Sequence, residues 1–320
     1  MLNGLRWFGL AGLALALSAS AQELYGLATI APGTMLHTLG SVIAKVAQDN
    51  SKLQLRVQGY GGDAPALDAV SNKTSDFLAL EIGETADAYH GRGNWQGKGR
   101  PNLRMAMTMF PIMVAPYVRK DSSVQSIADL KGKRVPGMWA QQTGVLQHTT
   151  AMLANGGLAY SDVVSVPVVN AVRGADDFKS GKLDVLYFAV GAPKVQEVAS
   201  AVGGLRQLPY ANTPEALARM HAVRPEYYVV ELKPAPYIVG IDKPTWVQAF
   251  DFIIGVGAHV PDDAVYEFVK AVHGSRKALG EGHPSLNAFN PDNAGKPQPS
   301  LPHHPGAIRF FKEAGIWKGA

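Results

Sequence analysis

The chain has 320 residues, of which 47% are hydrophobic and 18% charged, and its formal net charge is +4 at neutral pH. This composition is typical of a soluble globular protein with room for two hydrophobic cores, and it excludes disordered and fibrous classes. No basic run is interleaved with aromatic residues, so we do not expect nucleic acid as a partner. Cysteine is absent, which excludes thiol catalysis, zinc–thiolate sites and iron–sulfur clusters.

The first residues have the pattern of an export signal. Arg6 gives a positive charge, residues 10–17 form a short apolar core, and residues 19–21 match a cleavage motif. Spanning a bilayer takes roughly 20 apolar residues, so an N-terminal membrane anchor is the less favoured alternative. Residues 1–21 are therefore predicted to be a signal peptide cleaved before Gln22, and the mature protein is expected in the periplasm.

Strand and helix patterns alternate along the first part of the mature chain. The predicted strands and helices, in chain order, are 24–30, 34–46, 53–57, 64–72, 76–80 and 84–89. The glycine-rich segment 90–101 lacks the spacing and the Ser or Thr of a phosphate loop, so it is interpreted as a surface excursion. This order predicts a mainly parallel sheet with helices on both faces.

The apolar stretch 103–119 contains Pro111 and Pro116. Because proline cannot donate to a sheet ladder, two short strands joined by an extended crossing are predicted instead of one continuous strand. The crossing is a candidate boundary between two domains.

A second alternation follows the crossing. Its predicted elements are a helical turn at 126–130, strands at 134–135, 163–169, 185–190 and 250–256, and helices at 143–154, 171–180, 192–201 and from 261 onward. The chain is therefore predicted to be an α/β protein with two lobes, each a mainly parallel sheet flanked by helices. Lobe 1 would comprise residues 22–112 plus about 245–320 and lobe 2 about 113–244, with the ligand cleft between them.

Several segments resemble the TAXI branch of TRAP transporter receptors. They are ATIAPGTMLHTLGSVIAKV (28–46), FLALEIGETADAYHG (77–91), SIADLKGKRV (126–135), ADDFKSGKLDVLYFAVGAPKVQEVASAVGGLRQLP (175–209) and HPGAIRFFKEAG (304–315). The resemblance implies the type II periplasmic-binding-protein fold and hinge closure on a small organic acid or amino acid. It also implies delivery of that ligand to TRAP membrane subunits, and it favours a monomer without cofactors.

The resemblance places the ligand site in the loops that follow the strands. The candidate ligand-binding residues are Gly33, Thr34, His37, Glu81, Trp139, Gln141, Gln142, Thr143, Phe188 and Gly191. The chain departs from the family at several of these positions: His37 stands at a family tyrosine, Glu81 at a glutamine, and Trp139 in the family's Ser-Gly-Thr loop. A ligand bulkier and more apolar than glutamate is the resulting hypothesis.

Each candidate also has a structural interpretation. Trp139 either stacks on the ligand or packs under its loop, and Glu81 either accepts from the ligand or forms a salt bridge with a structural arginine. Thr143 fits a plain helix N-cap as well as an anion contact, and Thr34 is predicted to cap the first helix. Gln141 and Gln142 fit either ligand contacts or exposed loop positions.

Further side chains leave open questions. His37 is either an anion donor or a satisfied histidine, and either Tyr187 or Phe188 faces the cleft. Arg119 and Arg173 are candidate carboxylate clamps by position only. The adjacent His303 and His304 point in different directions and lack further ligands, so no metal site is expected.

The predicted function is solute capture without catalysis. A receptor for an ABC-type importer or a sensor kinase is the alternative within the same class. An extracytoplasmic enzyme on the same scaffold is a third possibility, but the sequence has no G-x-S-x-G, H-E-x-x-H or phosphate-loop motif.

Overall fold

The computed structural model describes residues 23–319 except Gly33, Gln141, Thr143 and Tyr237. The predicted signal peptide and its cleavage before Gln22 therefore lie outside the described residues. The same holds for three of the predicted ligand contacts, Gly33, Gln141 and Thr143.

In the described residues, strands and helices alternate along most of the chain. The strands are β1 (Leu24–Thr29), β2 (Gln54–Gly59), β3 (Phe77–Glu81), β4 (Leu103–Arg119), β5 (Arg134–Gly137), β6 (Val164–Pro167), β7 (Leu186–Ala189), β8 (Leu205–Gln207), β9 (Tyr228–Leu232) and β10 (Thr245–Gly257). The helices are α1 (Met35–Asp49), α2 (Asp63–Ser71), α3 (Ile82–His90), α4 (Gly144–Asn155), α5 (Ala171–Lys179), α6 (Pro193–Ala201), α7 (Pro214–Val223), α8 (Asp262–His273), α9 (Arg276–Gly282) and α10 (Pro305–Glu313). Apart from the stretch 103–119, the elements predicted before residue 202 are present with shifted ends, whereas β8, α7 and β9 were not predicted.

The predicted α/β architecture is confirmed. The main sheet has the order β2-β1-β3-β10-β4-β7, and β8 and β9 pair with β4 and β10 off this path. Strand β1 is parallel to β2 and β3, whereas β10 is antiparallel to β3, β4 and β9. The antiparallel β10 returns from the far part of the chain, so local patterning did not indicate its pairing direction.

The prediction of two short strands in 103–119 is wrong, because β4 is one strand of 17 residues. Its prolines do not interrupt it, since a proline removes a donor but keeps its carbonyl. Pro111 is exposed and faces Asp251 of β10 in the register. The carbonyl of Pro116 accepts from the Leu208 N–H at 2.9 Å.

The hydrophobic core falls into two groups of clusters. Two clusters contain only buried residues from 27–110 and 252–311, and the other two only buried residues from 114–250. We refer to these groups, with the elements that pack on them, as lobe 1 and lobe 2. Strands β4 and β10 run through both groups and connect them.

The loops after β1 and β3 in lobe 1 and after β5 and β7 in lobe 2 lead into helices α1, α3, α4 and α6. A helix N-terminus carries a partial positive charge and unpaired N–H groups, so these four loops are the expected ligand-binding positions. None of the helices in the described part of the chain has the length and hydropathy that crossing a bilayer requires.

Candidate ligand site between the lobes

Thr34 and His37 form the start of α1. The Thr34 hydroxyl accepts from the His37 N–H at 3.3 Å and lies 2.7 Å from the Ala31 carbonyl, so Thr34 is an N-cap as its structural interpretation required. The His37 Nδ1 is 2.7 Å from the Thr29 hydroxyl. One ring nitrogen of His37 therefore has an internal partner.

Trp139 is packed under its loop. Its side chain is 1% exposed, belongs to a core cluster of lobe 2, and places its indole N–H 3.3 Å from the Thr149 hydroxyl. The hypothesis that Trp139 stacks on a ligand is corrected accordingly, because its ring has no free face. The neighbouring Met138 is instead 66% exposed.

The backbone of this loop is strained. Met138 and Trp139 have φ values of 62° and 45°, a left-handed conformation that side chains with a Cβ rarely adopt. Two such residues in succession cost on the order of 1–3 kcal/mol each and persist where the surrounding structure enforces them. The strain turns the indole into the core and the Met138 side chain outward, at the end of β5 where a ligand loop was predicted.

The other lobe 2 candidates have mixed positions. The Gln142 side-chain oxygen accepts from the Ala171 N–H at 2.8 Å, which ties the loop before α4 to the start of α5. Phe188 is partly buried against the core, and Tyr187 is the member of the pair that packs, since its hydroxyl donates to Gln248. Gly191 has a φ of 76°, which suits glycine in the turn before α6.

Both candidate arginines have a contact within lobe 2. Arg119 donates to the Lys179 carbonyl at 3.1 Å and lies over the Phe178 ring. Arg173 is 65% exposed and lies 3.8 Å from Asp176 on its own helix. Both positions are therefore structural or solvated.

The contact between the lobes is instead centred on Arg224, a residue that the sequence analysis did not single out. Arg224 follows α7 in lobe 2 and is 1% exposed. Its Nη1 donates to Glu81 of lobe 1 at 3.2 Å, and its Nη2 donates to Glu84 at 3.2 Å and to Asp87. The structural interpretation of Glu81, a salt bridge to an arginine, is thereby confirmed.

Glycine at position 83 makes this contact possible. A Cβ on Gly83 would lie 2.5 Å from the Arg224 Cδ and 3.0 Å from Glu81 Oε2. Glu81 itself is the N-cap of α3 and accepts from the N–H groups of Gly83 and Glu84. The end of β3 therefore presents a capped helix start whose acidic side chains face lobe 2.

A second arginine extends the ion network. Arg92 of lobe 1 lies 2.9 Å from Asp87 and donates to Glu226 of lobe 2 at 2.8 Å. The hydroxyl of Tyr227 accepts from Arg224 at 2.8 Å, within lobe 2. We call Asp63, Glu81, Glu84, Asp87, Arg92, Arg224 and Glu226 the interlobe cluster.

Asp63 places one more carboxyl group at the interface. It is the first residue of α2 in lobe 1, and its Oδ2 lies 3.2 Å from where a Cβ on Gly144 would be. Gly144 begins α4 of lobe 2, and Glu84 Oε2 lies 3.6 Å from the same point. Two lobe 1 carboxyl groups therefore meet the positive end of α4.

Burial raises the pKa of both Asp63 and Glu81 to about 7. The charge of Glu84 raises the pKa of each further, and Arg224 acts in the opposite direction. Burial and the charge of Arg224 lower the pKa of His148 on α4 to about 3. At neutral pH the interface therefore contains carboxyl groups close to their titration midpoint and a neutral histidine.

The titration of the Asp63 carboxyl group should be visible in how the free energy of unfolding depends on pH. Between about pH 4 and 7 the folded protein keeps a proton on Asp63 that the unfolded chain releases, so this group makes stability fall as pH rises. His148 acts oppositely, because only the unfolded chain binds its proton between about pH 3 and 6.5. Asp63→Asn removes the first contribution alone, so the variant should gain stability relative to wild type by about 1 kcal/mol per pH unit over this range.

Urea unfolding of both proteins between about pH 5 and 8 measures this difference. Asp262→Asn is the matched control, because Asp262 also lies in the first turn of a helix but is 58% exposed. A stability difference between Asp63→Asn and wild type that does not change with pH would contradict the expected titration.

The missed residues gave only weak local signals. Asp63 is an acidic residue at a helix start, a pattern that dipole stabilisation alone explains. Arg224 lies in a segment between α7 and β9 with no recognised motif. Arg224 contacts Glu81 and Glu84, which lie 143 and 140 positions earlier in the chain, so no local pattern connects them.

Comparison with known proteins shows the family of this chain. A model of the NMT1-like family matches residues 27–315. The chain belongs to the NMT1-like family. This NMT1-like chain is similar in structure to a TctC solute-binding protein from Polaromonas, with 13% identity, a TM-score of 0.53, and coverage of 83% of this chain and 89% of that one.

A second similar structure is the alkanesulfonate-binding protein SsuA from Xanthomonas axonopodis pv. citri bound to MOPS. It has 13% identity and a TM-score of 0.50, and the match covers 92% of this chain and 94% of that one. At this identity the likeness shows the fold alone. The NMT1-like chain thus has the fold of two-lobed periplasmic solute-binding proteins.

Proposed function

We propose that this protein is a periplasmic solute receptor whose two lobes close on a small carboxylate or amino-acid-like solute. Residues 22–112 with about 245–320 would move against about 113–244, and the loaded receptor would deliver its solute to TRAP membrane subunits. The contact of Arg224 with Glu81, Glu84 and Asp87 carries the proposal. It joins the lobes through side chains at the end of β3 and the start of α3, where receptors of this fold are expected to hold ligands.

The interlobe cluster supports hinge closure on physical grounds. Buried charges are stable only when they are paired, and these pairs form only when the lobes are in contact. Opening the lobes would expose the same groups to water, which solvates each charged group in place of its ionic partner. Because the cost of desolvation offsets much of the gain from pairing, we expect the differential affinity of a solute to shift the balance between closed and open forms.

Met138 replaces Trp139 as the proposed apolar contact. It is exposed at the carboxyl end of β5, and the strained backbone holds it there. The hypothesis of a ligand with an apolar part more extended than that of glutamate then rests on Met138. Thr34, His37, Gln142 and Phe188 remain proposed positions around the same cleft, as do Gly33, Gln141, Thr143 and Gly191.

A thermal-shift screen against organic acids and amino acids, followed by X-ray scattering with each hit, tests solute capture. A binding solute at a hundredfold excess over its dissociation constant should add about 2.7 kcal/mol to apparent stability. The same solute should reduce the radius of gyration of a monomer. No stabilisation by any solute, together with unchanged scattering, would rule out the receptor function.

Delivery to TRAP subunits rests on the sequence segments that resemble the TAXI branch. A permease of the TRAP type, produced with this receptor in membrane vesicles, should import the solute only when the receptor is present. Import through an ATP-driven permease instead would favour the ABC-type alternative.

A further inference from the structure

In the interlobe cluster, the Arg224 guanidinium already binds carboxylates of the protein itself. Both terminal nitrogens of Arg224 are engaged, Nη1 by Glu81 and Tyr227 and Nη2 by Glu84 and Asp87. The remaining donor, Nε, is buried and has no hydrogen-bond partner within the described part of the chain. Without displacing an internal partner, a ligand carboxylate could reach the guanidinium only at Nε. It would there add a negative charge beside a guanidinium that already contacts three carboxylates.

Carboxyl groups of the protein also lie at the N-terminus of α4. Asp63 Oδ2 and Glu84 Oε2 lie 3.2 and 3.6 Å from the Cβ position of Gly144, at the positive end of a helix of 12 residues. From the sequence, this helix start is a candidate position for the carboxylate of a solute. In the structure an aspartate from the opposite lobe approaches it instead.

The interlobe cluster has an excess of negative charge. Its five carboxyl groups face two guanidinium groups, so three negative charges remain uncompensated when all carboxyl groups are ionised. Four of the five acidic residues are at most 8% exposed, so water does not screen them well: Glu81, Glu84, Asp87 and Glu226. Uncompensated buried charge is costly unless a cation or a proton neutralises it.

An independent observation identifies a missing donor. Glu226 is 8% exposed, and its Oε1 accepts from Arg92, which connects it to Asp87 and the rest of the cluster. Its second oxygen, Oε2, is buried and has no hydrogen-bond partner within the described part of the chain. A buried carboxylate oxygen that lacks a donor is energetically costly, so a donor group supplied by a solute would stabilise it.

We propose that the cleft selects a solute with a net positive charge and that Asp63 is the residue that determines this selectivity. The proposal rests on the receptor function proposed above and narrows its solute class to cationic amino-acid-like compounds. An ammonium group brings three N–H donors and one positive charge to carboxyl oxygens that lack both. A second carboxylate at the same place would add a further negative charge beside Asp63 and Glu84.

The selectivity is tested with L-ornithine, L-glutamine and L-glutamate, which have chains of similar length and differ in side-chain charge. Calorimetry on the full-length mature protein at about pH 8 should give tightest binding for ornithine and weakest for glutamate. Because one charge pair at about 4 Å is strong in a partly dehydrated site, we expect ornithine to bind at least about tenfold more tightly than glutamate.

Asp63→Asn keeps the size of the side chain and removes its charge. The ratio of the ornithine to the glutamate association constant should fall about tenfold in this variant, with the change mainly in ornithine affinity. Asp262→Asn, which alters an exposed first-turn aspartate of α8, should leave the ratio unchanged.

If wild type binds all three amino acids with equal affinity, or binds none of them, the proposed charge selectivity is overturned. Tightest binding of glutamate, or a ratio that Asp63→Asn does not change, overturns it as well. The receptor function is tested separately by the broad solute screen. If the charge preference fails but any other solute binds and closes the lobes, the receptor function still stands.

Discussion

Replacing Arg224 with methionine should lower the free energy of unfolding by about 3–5 kcal/mol, and X-ray scattering should show the lobes apart at about pH 8. Arg224 is almost fully buried and contacts Glu81, Glu84 and Asp87. Without its guanidinium these carboxylates remain buried beside one another with no cation between them. Separation of the lobes relieves this repulsion because it returns the carboxylates to water.

The effect of Arg224→Met should weaken at about pH 5.5. Burial holds the pKa of Glu81 and of Asp63 at about 7, so protonation then removes part of the repulsion. Gly83→Ala offers a second route to the same result, because the added Cβ would lie 2.5 Å from the Arg224 Cδ while every charge is kept. Both variants should increase the radius of gyration.

Arg219→Met is the matched control for Arg224→Met. Arg219 lies on α7 five residues before Arg224, is exposed, and donates to the carbonyls of Ala154 and Asn155 within lobe 2. We expect its scattering profile to match that of wild type. Arg224→Met with wild-type stability and scattering would show that the interlobe cluster does not hold the lobes together.

Trp139→Ala should lower the free energy of unfolding by about 3–5 kcal/mol, a loss of the size found when a large buried aromatic side chain is removed. The indole is 1% exposed and lies in the core of lobe 2, with its N–H directed to Thr149. Chemical unfolding measures the loss. Because no ring face is open to the cleft, solute affinity of the folded variant should stay close to that of wild type.

Met138→Ala is the neighbouring control, since Met138 is 66% exposed and has the same left-handed backbone. We expect a stability change within about 0.5 kcal/mol, as for most surface substitutions. Its solute affinity should fall, because the proposed apolar contact is shortened. A Trp139→Ala protein of wild-type stability with weakened solute binding would restore the stacking hypothesis.

Much of the fold could be predicted from local patterns. The alternation of apolar and polar residues located β1 to β3 and α1 to α3, because these periods depend only on neighbouring side chains. Thr34 was correctly identified as an N-cap. The continuous β4 was missed because the effect of a proline depends on which strand lies beside it.

The candidate site was only partly predictable. Glu81 was placed at the end of a strand, and one of its two interpretations named an arginine without identifying it. That arginine, Arg224, lies 143 residues further along the chain. Trp139 was assigned to a loop correctly, but the direction of its ring depends on two left-handed residues that no local rule predicts.

The sequence by itself determined the α/β class and the order of most elements. Those features follow from side-chain periodicity and capping, which act over a few residues. Only the tertiary structure decided which charges meet across the lobes, with Asp63 at the start of α4 and Arg224 among three carboxylates. The physical reason is that burial and pairing of charge arise from contacts between distant segments, and these contacts exist only once both lobes have folded and come together.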